Sequence, residues 1–167
     1  MRGKRLVKKE LEADGKYPVY QNSMTPLGYY EQSNYSADTT FIISAGAAGE
    51  IGYSYTNFWA ADDVYIIQTP DSLMSRFLYH ALLNQKQLLA SKVRRASIPR
   101  LSRTSIEKLN IPIPSLAEQE RIVGILDKFD RLTTDISEGI PAEISARHKQ
   151  YGYYRNKLLK LMELQSV

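Results

Sequence analysis

An apolar repeat that begins after residue 115 constrains the fold of this 167-residue chain more than any other feature. Ser115 and Glu118 match the capping-box pattern directly after Pro112 and Pro114, so we predict that a helix begins at about Leu116. Apolar residues then recur at spacings of three and four, which is the heptad pattern of a helix that packs on another helix. They are Ile122, Ile125, Phe129, Leu132 and Ile136. The repeat therefore predicts a long helical arm.

A break is predicted inside this arm. Gly139 weakens a helix, and Pro141 disfavours helical backbone at Ile140, so the first helix should end near residues 137–141. A second set at heptad spacing starts out of phase with the first: Ile144, Arg147, Tyr151, Tyr154, Leu158 and Leu161. We predict two helices within residues 113–167. Either a kink joins them, or the second helix folds back on the first.

Composition and motifs exclude several classes of protein. Without cysteine the chain has no disulfide and no cysteine-ligated metal. No apolar run reaches the roughly 18 residues that a membrane-spanning helix needs, and no signal-peptide core follows the basic start, so we expect a cytoplasmic protein. His80 and His148 lie far apart in the sequence, and the chain has no P-loop, dinucleotide fingerprint or methyltransferase signature. We therefore predict a protein that is not an enzyme.

Positive charge is concentrated in two segments. Residues 1–16 contain six lysines and arginines against three acids, and residues 86–108 contain seven against one. Residues 17–85 contain one against six, whereas the chain from residue 109 is balanced at eight against eight. Basic segments are typical of a surface that binds a polyanion such as DNA. Two solvated surface segments without a ligand are the alternative.

The second basic segment is the first candidate for DNA contacts. Arginine can bind phosphates or read guanine bidentately, and serine can bond to a phosphate or to a base edge. Pro99 favours an irregular loop in this segment. The candidate residues are Lys92, Arg94, Arg95, Ser97, Arg100 and Arg103.

A polar loop over residues 21–30 is the second candidate. Asparagine can pair bidentately with adenine, and an exposed tyrosine can pack on a sugar or a base. We predict that five residues in and beside this loop lie near the bases: Tyr20, Asn22, Ser23, Tyr29 and Tyr30. The alternative is a solvated loop with one or two of its tyrosines in the core.

The residues before the arm predict a mixed α/β domain, which we place at residues 1–112. β-Branched and apolar runs predict strands at residues 17–20, 39–44, 51–55 and 64–68. The spacing of apolar residues predicts one amphipathic helix over residues 73–89.

Two turns are predicted between these strands. The glycine-rich residues 45–49 should connect two strands, because the G-x-G start and the following helix of a phosphate-binding loop are missing. Residues 58–63 should form another turn, in which Asp62 and Asp63 cap the backbone rather than bind a metal.

Blocks of sequence along the chain resemble a known family. In the arm they are residues 112–123 (PIPSLAEQERIV), 126–130 (LDKFD), 137–144 (SEGIPAEI) and 149–155 (KQYGYYR). In the preceding domain they are residues 15–23, 25–29, 45–53 and 58–63. The arm resembles the conserved spacer helix of type I restriction-modification specificity subunits of the IC group. The domain resembles, more loosely, the target-recognition domain of those subunits.

The resemblance implies a DNA-recognition function. Such subunits read a bipartite double-stranded DNA site with two mixed α/β recognition domains and two spacer helices, whereas this chain has one of each and would be a half subunit or a truncated form. The methyltransferase and restriction-translocase subunits that they dock would hold S-adenosylmethionine, ATP and Mg, and this chain would bind no cofactor. The alternative is a protein-interaction adaptor with a coiled-coil arm and incidental basic patches.

The single arm leads to a prediction about assembly. An apolar seam is unstable in water on an isolated helix, since its burial is worth several kcal/mol at about 25 cal/mol per Å². In the family that the chain resembles, the two spacer helices pack antiparallel. A second copy would reproduce this through a two-fold interface, with identical domains at opposite ends. We therefore predict a homodimer through the arm, and the folded-back monomer is the alternative.

Overall fold

The structure is a computed structural model that describes residues 1–130 and 149–150. These residues fall into two compact units, Met1–Val123 and Gly124–Val167, of which the second is described only in part. The first unit has the predicted mixed α/β class. Within the described ranges, no helix is long and apolar enough to cross a membrane.

Six strands form two sheets in the first unit. They are β1 (Tyr17–Tyr20), β2 (Gly28–Tyr30), β3 (Thr39–Ile43), β4 (Ile51–Ser54), β5 (Trp59–Ala60) and β6 (Val64–Ile66). One sheet has the antiparallel order β4-β3-β6, with Phe41 in register with Gly52 on one side and Ile66 on the other. Residues 45–49 form the predicted turn between β3 and β4.

The second sheet has the order β2-β1-β5. β1 pairs antiparallel with β2, where Tyr17 is opposite Tyr30, and parallel with β5, where Val19 is opposite Trp59. The predicted loop over residues 21–30 and the predicted turn over residues 58–63 are therefore wrong where β2 and β5 form. Both strands are very short, and they adopt their conformation because they pair with β1, so the local sequence pattern did not reveal them.

Three short α-helices follow the sheets: α1 (Ser75–Asn84), α2 (Lys86–Ser91) and α3 (Arg103–Glu107). The single helix predicted over residues 73–89 is thus two helices. The reason is Gln85, whose backbone leaves the helical region at φ −101° and ψ 12°. Its side chain donates a hydrogen bond to the Asn110 carbonyl at 2.8 Å, which connects this corner to the chain after α3.

Strand β3 is buried on both faces, because alternate residues point to opposite sides of a sheet. On one side, Phe41 and Ile43 belong to a cluster that also contains Ala60 of the second sheet and Phe58, which precedes β5. On the other side, Ile42 packs among Ile51 of β4, residues of α1 and α2, and a residue just before α3: Leu78, Leu82, Leu89 and Leu101. The core therefore has a layer between the two sheets and a layer between one sheet and the helices.

Residues 116–130 form a fourth helix, α4, which confirms the predicted helix start. The Ser115 carbonyl accepts hydrogen bonds from the N–H groups of Glu118 and Gln119, at 3.0 and 2.9 Å. The first unit extends to Val123, beyond the boundary predicted after residue 112, because it includes the first turns of α4.

The predicted seam is described only in its first part. Ile122 is half-buried, and Ile125 and Phe129 are 43% and 60% exposed. The predicted break at residues 137–141 lies outside the described residues. So do the later seam positions: Leu132, Ile136, Tyr151, Tyr154, Leu158 and Leu161.

Candidate nucleic-acid interface

The second basic segment forms a hairpin. Arg94 and Arg100 pair as an antiparallel bridge, in which the backbone N–H of each residue donates to the carbonyl of the other, at 2.8 and 3.1 Å. We call residues 94–100 the basic hairpin. Its arginines and three of its tip residues are exposed: Arg94, Arg95, Ala96, Ser97, Ile98 and Arg100. The hairpin therefore presents three guanidinium groups at the surface of the first unit.

The basic hairpin is attached to the chain at the end of β3. The Gly46 N–H donates to the Pro99 carbonyl at 3.1 Å. Directly after the hairpin, Leu101 is buried in the core, and its N–H donates to the Ser44 carbonyl at 2.8 Å. The backbone beside a buried strand thus fixes the base of the hairpin, while the side chains of the hairpin extend into solvent.

Residues 21–25, which we call the Asn22 loop, are bound to the same turn. The Asn22 carbonyl accepts a hydrogen bond from the Ala47 N–H at 2.9 Å, and the Asn22 side chain is exposed. Within the loop, the hydroxyl of half-buried Ser23 donates to the Thr25 carbonyl at 2.7 Å. The structure therefore brings together the centres of the two candidate segments, although they lie far apart in the sequence.

Gly46 makes this connection possible. Its φ of +79° is a conformation that side chains other than glycine rarely adopt. A Cβ atom at this position would lie 2.6 Å from the carbonyl oxygen of Asn22. The sequence predicts the turn, but not its contact with both candidate segments. The close spacing of Gly46, Gly49 and Gly52 is the available signal that backbone approaches closely here.

The three tyrosines of the second candidate set occupy different environments. Tyr20 packs against Phe41 with ring centroids 4.9 Å apart, and burial raises the pKa of its phenol. Tyr30 packs edge-on against Trp59 at 5.2 Å. Both rings are half-buried, because pairing in the second sheet turns them toward Phe41 and Trp59, and contacts of either residue with DNA stay predictions. Tyr29, on the face of β2 opposite to that of Tyr30, is 47% exposed and stays a candidate.

Two members of the first candidate set lie outside the hairpin. Arg103 is the first residue of α3, where its Nε donates to the Glu107 carboxylate at 2.7 Å. Lys92 is the C-cap of α2 and lines, with Lys108, a depression of about 460 Å³. Hydroxyl side chains also border this depression: Ser102, Thr104 and Ser105. Contacts of either residue with DNA stay predictions.

The other basic segment, at the start of the chain, has a structural role. The Gly3 N–H donates to the Val64 carbonyl and the Lys4 N–H to the Ala60 carbonyl, both at 2.9 Å. Leu6 is buried in a small cluster with Trp59. These contacts hold the backbone against both sheets, and the side chain of Lys4 is exposed.

Comparison with known proteins identifies relatives of the chain. A sequence model of the family described as type I restriction modification DNA specificity domain matches residues 1–146. The type I restriction enzyme EcoR124I/EcoR124II specificity subunit of Escherichia coli is 36% identical over 107 residues, which are 63% of this chain and 26% of that protein. The type I restriction enzyme MpnII specificity subunit of Mycoplasma pneumoniae is 30% identical over 169 residues, which are 98% of this chain and 51% of that protein.

The chain covers only part of the length of these relatives. The chain spans about a quarter of the first relative's length and about half of the second's. Among solved structures, the S subunit of a type I restriction-modification system from M. genitalium matches with a TM-score of 0.71 at 22% identity, over 83% of this chain and 38% of that chain. That likeness shows the fold.

Proposed function

Because this chain belongs to the type I restriction-modification DNA specificity family, we propose that it is a non-catalytic subunit that recognises one half of a bipartite DNA site. The observation that carries the proposal is the surface around Gly46. There the Asn22 loop and the basic hairpin are both hydrogen-bonded to one turn, at 2.9 and 3.1 Å. A basic segment and an amide side chain are thereby presented side by side.

The chemistry of these side chains suits DNA. The hairpin arginines can neutralise phosphates or bind guanine O6 and N7, and Asn22 can pair with adenine N6 and N7. Ser97, at the exposed tip of the hairpin, can add a contact to a phosphate or to a base edge. Because backbone hydrogen bonds fix both segments, their side chains can contact a groove without rearrangement of the core.

Partner subunits would supply the rest of the activity. In this proposal a methyltransferase subunit carries S-adenosylmethionine and a restriction-translocase subunit carries ATP and Mg, in the cytoplasm. The second half of the site needs a second recognition domain, which a second copy of the chain would supply. The exposure of Ile125 and Phe129 at heptad spacing supports pairing through α4.

Salt dependence of DNA binding tests the recognition surface. Fluorescence anisotropy with duplex DNA at several salt concentrations gives the slope of log affinity against log salt, to which each phosphate contact adds about 0.9. The double variant Arg94→Ala/Arg95→Ala should reduce the slope by roughly 2. Arg121→Ala/Lys128→Ala removes the same charge at exposed positions outside both basic segments and is the matched control. An unchanged slope in the hairpin variant rejects the assignment, and no binding by the wild type favours the adaptor.

Sedimentation equilibrium tests the dimer. The chain has a mass of 19.0 kDa, so a homodimer has about twice that mass. Phe129→Asp should return the protein to the monomer mass, because it places a charge in the seam. Lys128→Glu, at an exposed position next to it, is the control and should remain dimeric. A monomer mass for the wild type at all micromolar concentrations would reject the dimer.

A further inference from the structure

Gln119 is a fully buried polar side chain on an otherwise exposed part of α4. It is 0% exposed, whereas Leu116 is 45% exposed and Glu120 is exposed. Burial of an amide is unfavourable unless its polar atoms are hydrogen-bonded. The partners of this amide therefore identify what its burial achieves.

The Gln119 amide makes three hydrogen bonds that connect three segments. Its Oε1 accepts from the Met74 N–H at 2.8 Å. Its Nε2 donates to the Ser72 and Pro114 carbonyls, each at 2.9 Å. Met74 is the N-cap of α1, and Pro114 precedes α4. One side chain thus connects the first turn of α4 to the start of α1 and to the linker between α3 and α4, with both of its N–H groups engaged.

The linker itself is restricted. Pro112 and Pro114 fix their own φ angles and limit the conformation of the residues before them. At the start of the linker, the Gln85 side chain binds the Asn110 carbonyl at 2.8 Å. An amide side chain therefore binds the backbone at each end of a proline-rich segment. Little freedom is left for the first turns of α4.

We propose that Gln119 is a positioning residue, which fixes the direction in which the first turns of α4 leave the DNA-recognising domain and thereby the separation of two half sites. This inference rests on the proposed function. One additional base pair moves a half site by about 3.4 Å and rotates it by about 35°. If the arm is loosely attached to the domain, its length alone does not discriminate between separations that differ by one base pair. A rigid attachment selects one separation.

The test uses DNA duplexes that differ only in the number of base pairs between two half sites. The site is first selected with the full wild-type chain from random duplexes, and affinities are then measured by competition anisotropy. Gln119→Glu replaces the donor nitrogen with an acceptor that faces the Ser72 and Pro114 carbonyls. Gln119→Met keeps the volume and removes all three hydrogen bonds. Glu120→Gln, one residue further at an exposed position, is the matched control.

The expected result is a change in selectivity rather than in overall affinity. We expect the wild type and Glu120→Gln to bind duplexes with one separation about tenfold more tightly than the others, which is comparable to the discrimination against a mismatched base pair. For both Gln119 variants we expect this ratio of affinities to fall to about twofold. Their binding to a duplex with a single half site should equal that of the wild type. A residue that only supports the fold would instead lower the affinity for every duplex alike, which would contradict the proposal.

The possible failures are distinguishable. If both Gln119 variants keep the wild-type preference for one half-site separation, only this inference is overturned. If the wild type itself shows no such preference, both the inference and the proposed function are overturned. Hydrogen exchange of the Met74 amide gives a second measurement that needs no DNA. Exchange should be faster in Gln119→Met than in the wild type, and unchanged protection of this amide would also overturn the inference.

Discussion

The surface around Gly46 and the junction before α4 are held together in opposite ways. At the surface, backbone groups of Gly46 and Ala47 bind the carbonyls of Pro99 and Asn22. At the junction, the side chain of Gln119 makes the connections. Backbone hydrogen bonds do not depend on the neighbouring side chains, so the exposed residues of the surface can change while the fold is retained. The junction instead depends on the amide of Gln119, whose three hydrogen bonds another side chain would not reproduce.

The largest effect is expected where the backbone connection requires glycine. Gly46→Ala places a methyl group 2.6 Å from the Asn22 carbonyl oxygen, at a φ of +79°. We expect it to lower the free energy of unfolding by about 3 kcal/mol, as measured by urea denaturation. Gly49→Ala separates the effect of the close contact from the effect of the positive φ. Its φ is also positive, at +91°, but the nearest neighbour of an added Cβ is a Val93 methyl group at 3.3 Å. This control should lose about 1 kcal/mol. Equal losses would contradict the role of the close contact.

At the junction, Gln119→Met should lower the free energy of unfolding by about 2 kcal/mol. The variant leaves the Met74 N–H and two backbone carbonyls without their buried partner. Thermal and urea denaturation measure the loss, and Glu120→Gln should stay within about 0.5 kcal/mol of the wild type. If Gln119→Met behaved like this control, the junction would not depend on its side chain.

Substitutions in the basic hairpin should leave stability almost unchanged. Arg94→Ala and Arg95→Ala each remove an exposed side chain, so we expect changes within about 0.5 kcal/mol in urea denaturation. The same variants should weaken DNA binding, as described above. A loss of more than about 1 kcal/mol would mean that these side chains support the fold, and would remove the contrast between the two regions.

The smallest effect concerns Tyr20, a half-buried residue whose ring packs against Phe41 of the core. Burial raises its pKa from the ordinary value of 10.0, so the neutral phenol is favoured in the folded state. That contribution is fully present below pH 10.0 and is lost as the pH rises through the folded pKa. Tyr20→Phe should therefore reduce the decline of the unfolding free energy in alkaline solution. Urea denaturation across the alkaline range measures it, with Tyr29→Phe as the control for removal of a hydroxyl. An unaltered decline would contradict the burial of Tyr20.

Local patterns in the sequence predict the elements that depend on local physics. The β-branched residues 39–44 predict β3, and the capping box at Ser115 predicts the start of α4. Strands β2 and β5 could not be predicted, because they form through pairing with β1. The separation of α1 and α2 occurs at Gln85, whose side chain binds the carbonyl of Asn110, 25 residues away in the chain.

In the candidate site, too, only the features that depend on the local sequence can be predicted. The exposed arginines of the basic hairpin follow from charge and composition. A tyrosine in a polar segment gives no indication of its environment until its strand partner is known, so the sequence alone does not separate half-buried Tyr20 and Tyr30 from exposed Tyr29. The role of Gln119 depends on Ser72 and Met74, which are 47 and 45 residues away in the chain. A pattern of neighbouring residues does not contain that information.

The parallel pairing of β1 with β5 has a consequence for synthesis on the ribosome. β1 can pair with β2 as soon as both have emerged, but its other edge is completed only by Trp59 and Ala60. At a translation rate of roughly 5 to 20 residues per second, the interval between Val19 and Trp59 leaves that edge unpaired for about 2 to 8 s. An unpaired strand edge is a template for association with other chains. Slow translation of residues 21–58, or crowding of several nascent chains on one messenger, should therefore raise the aggregated fraction of this protein.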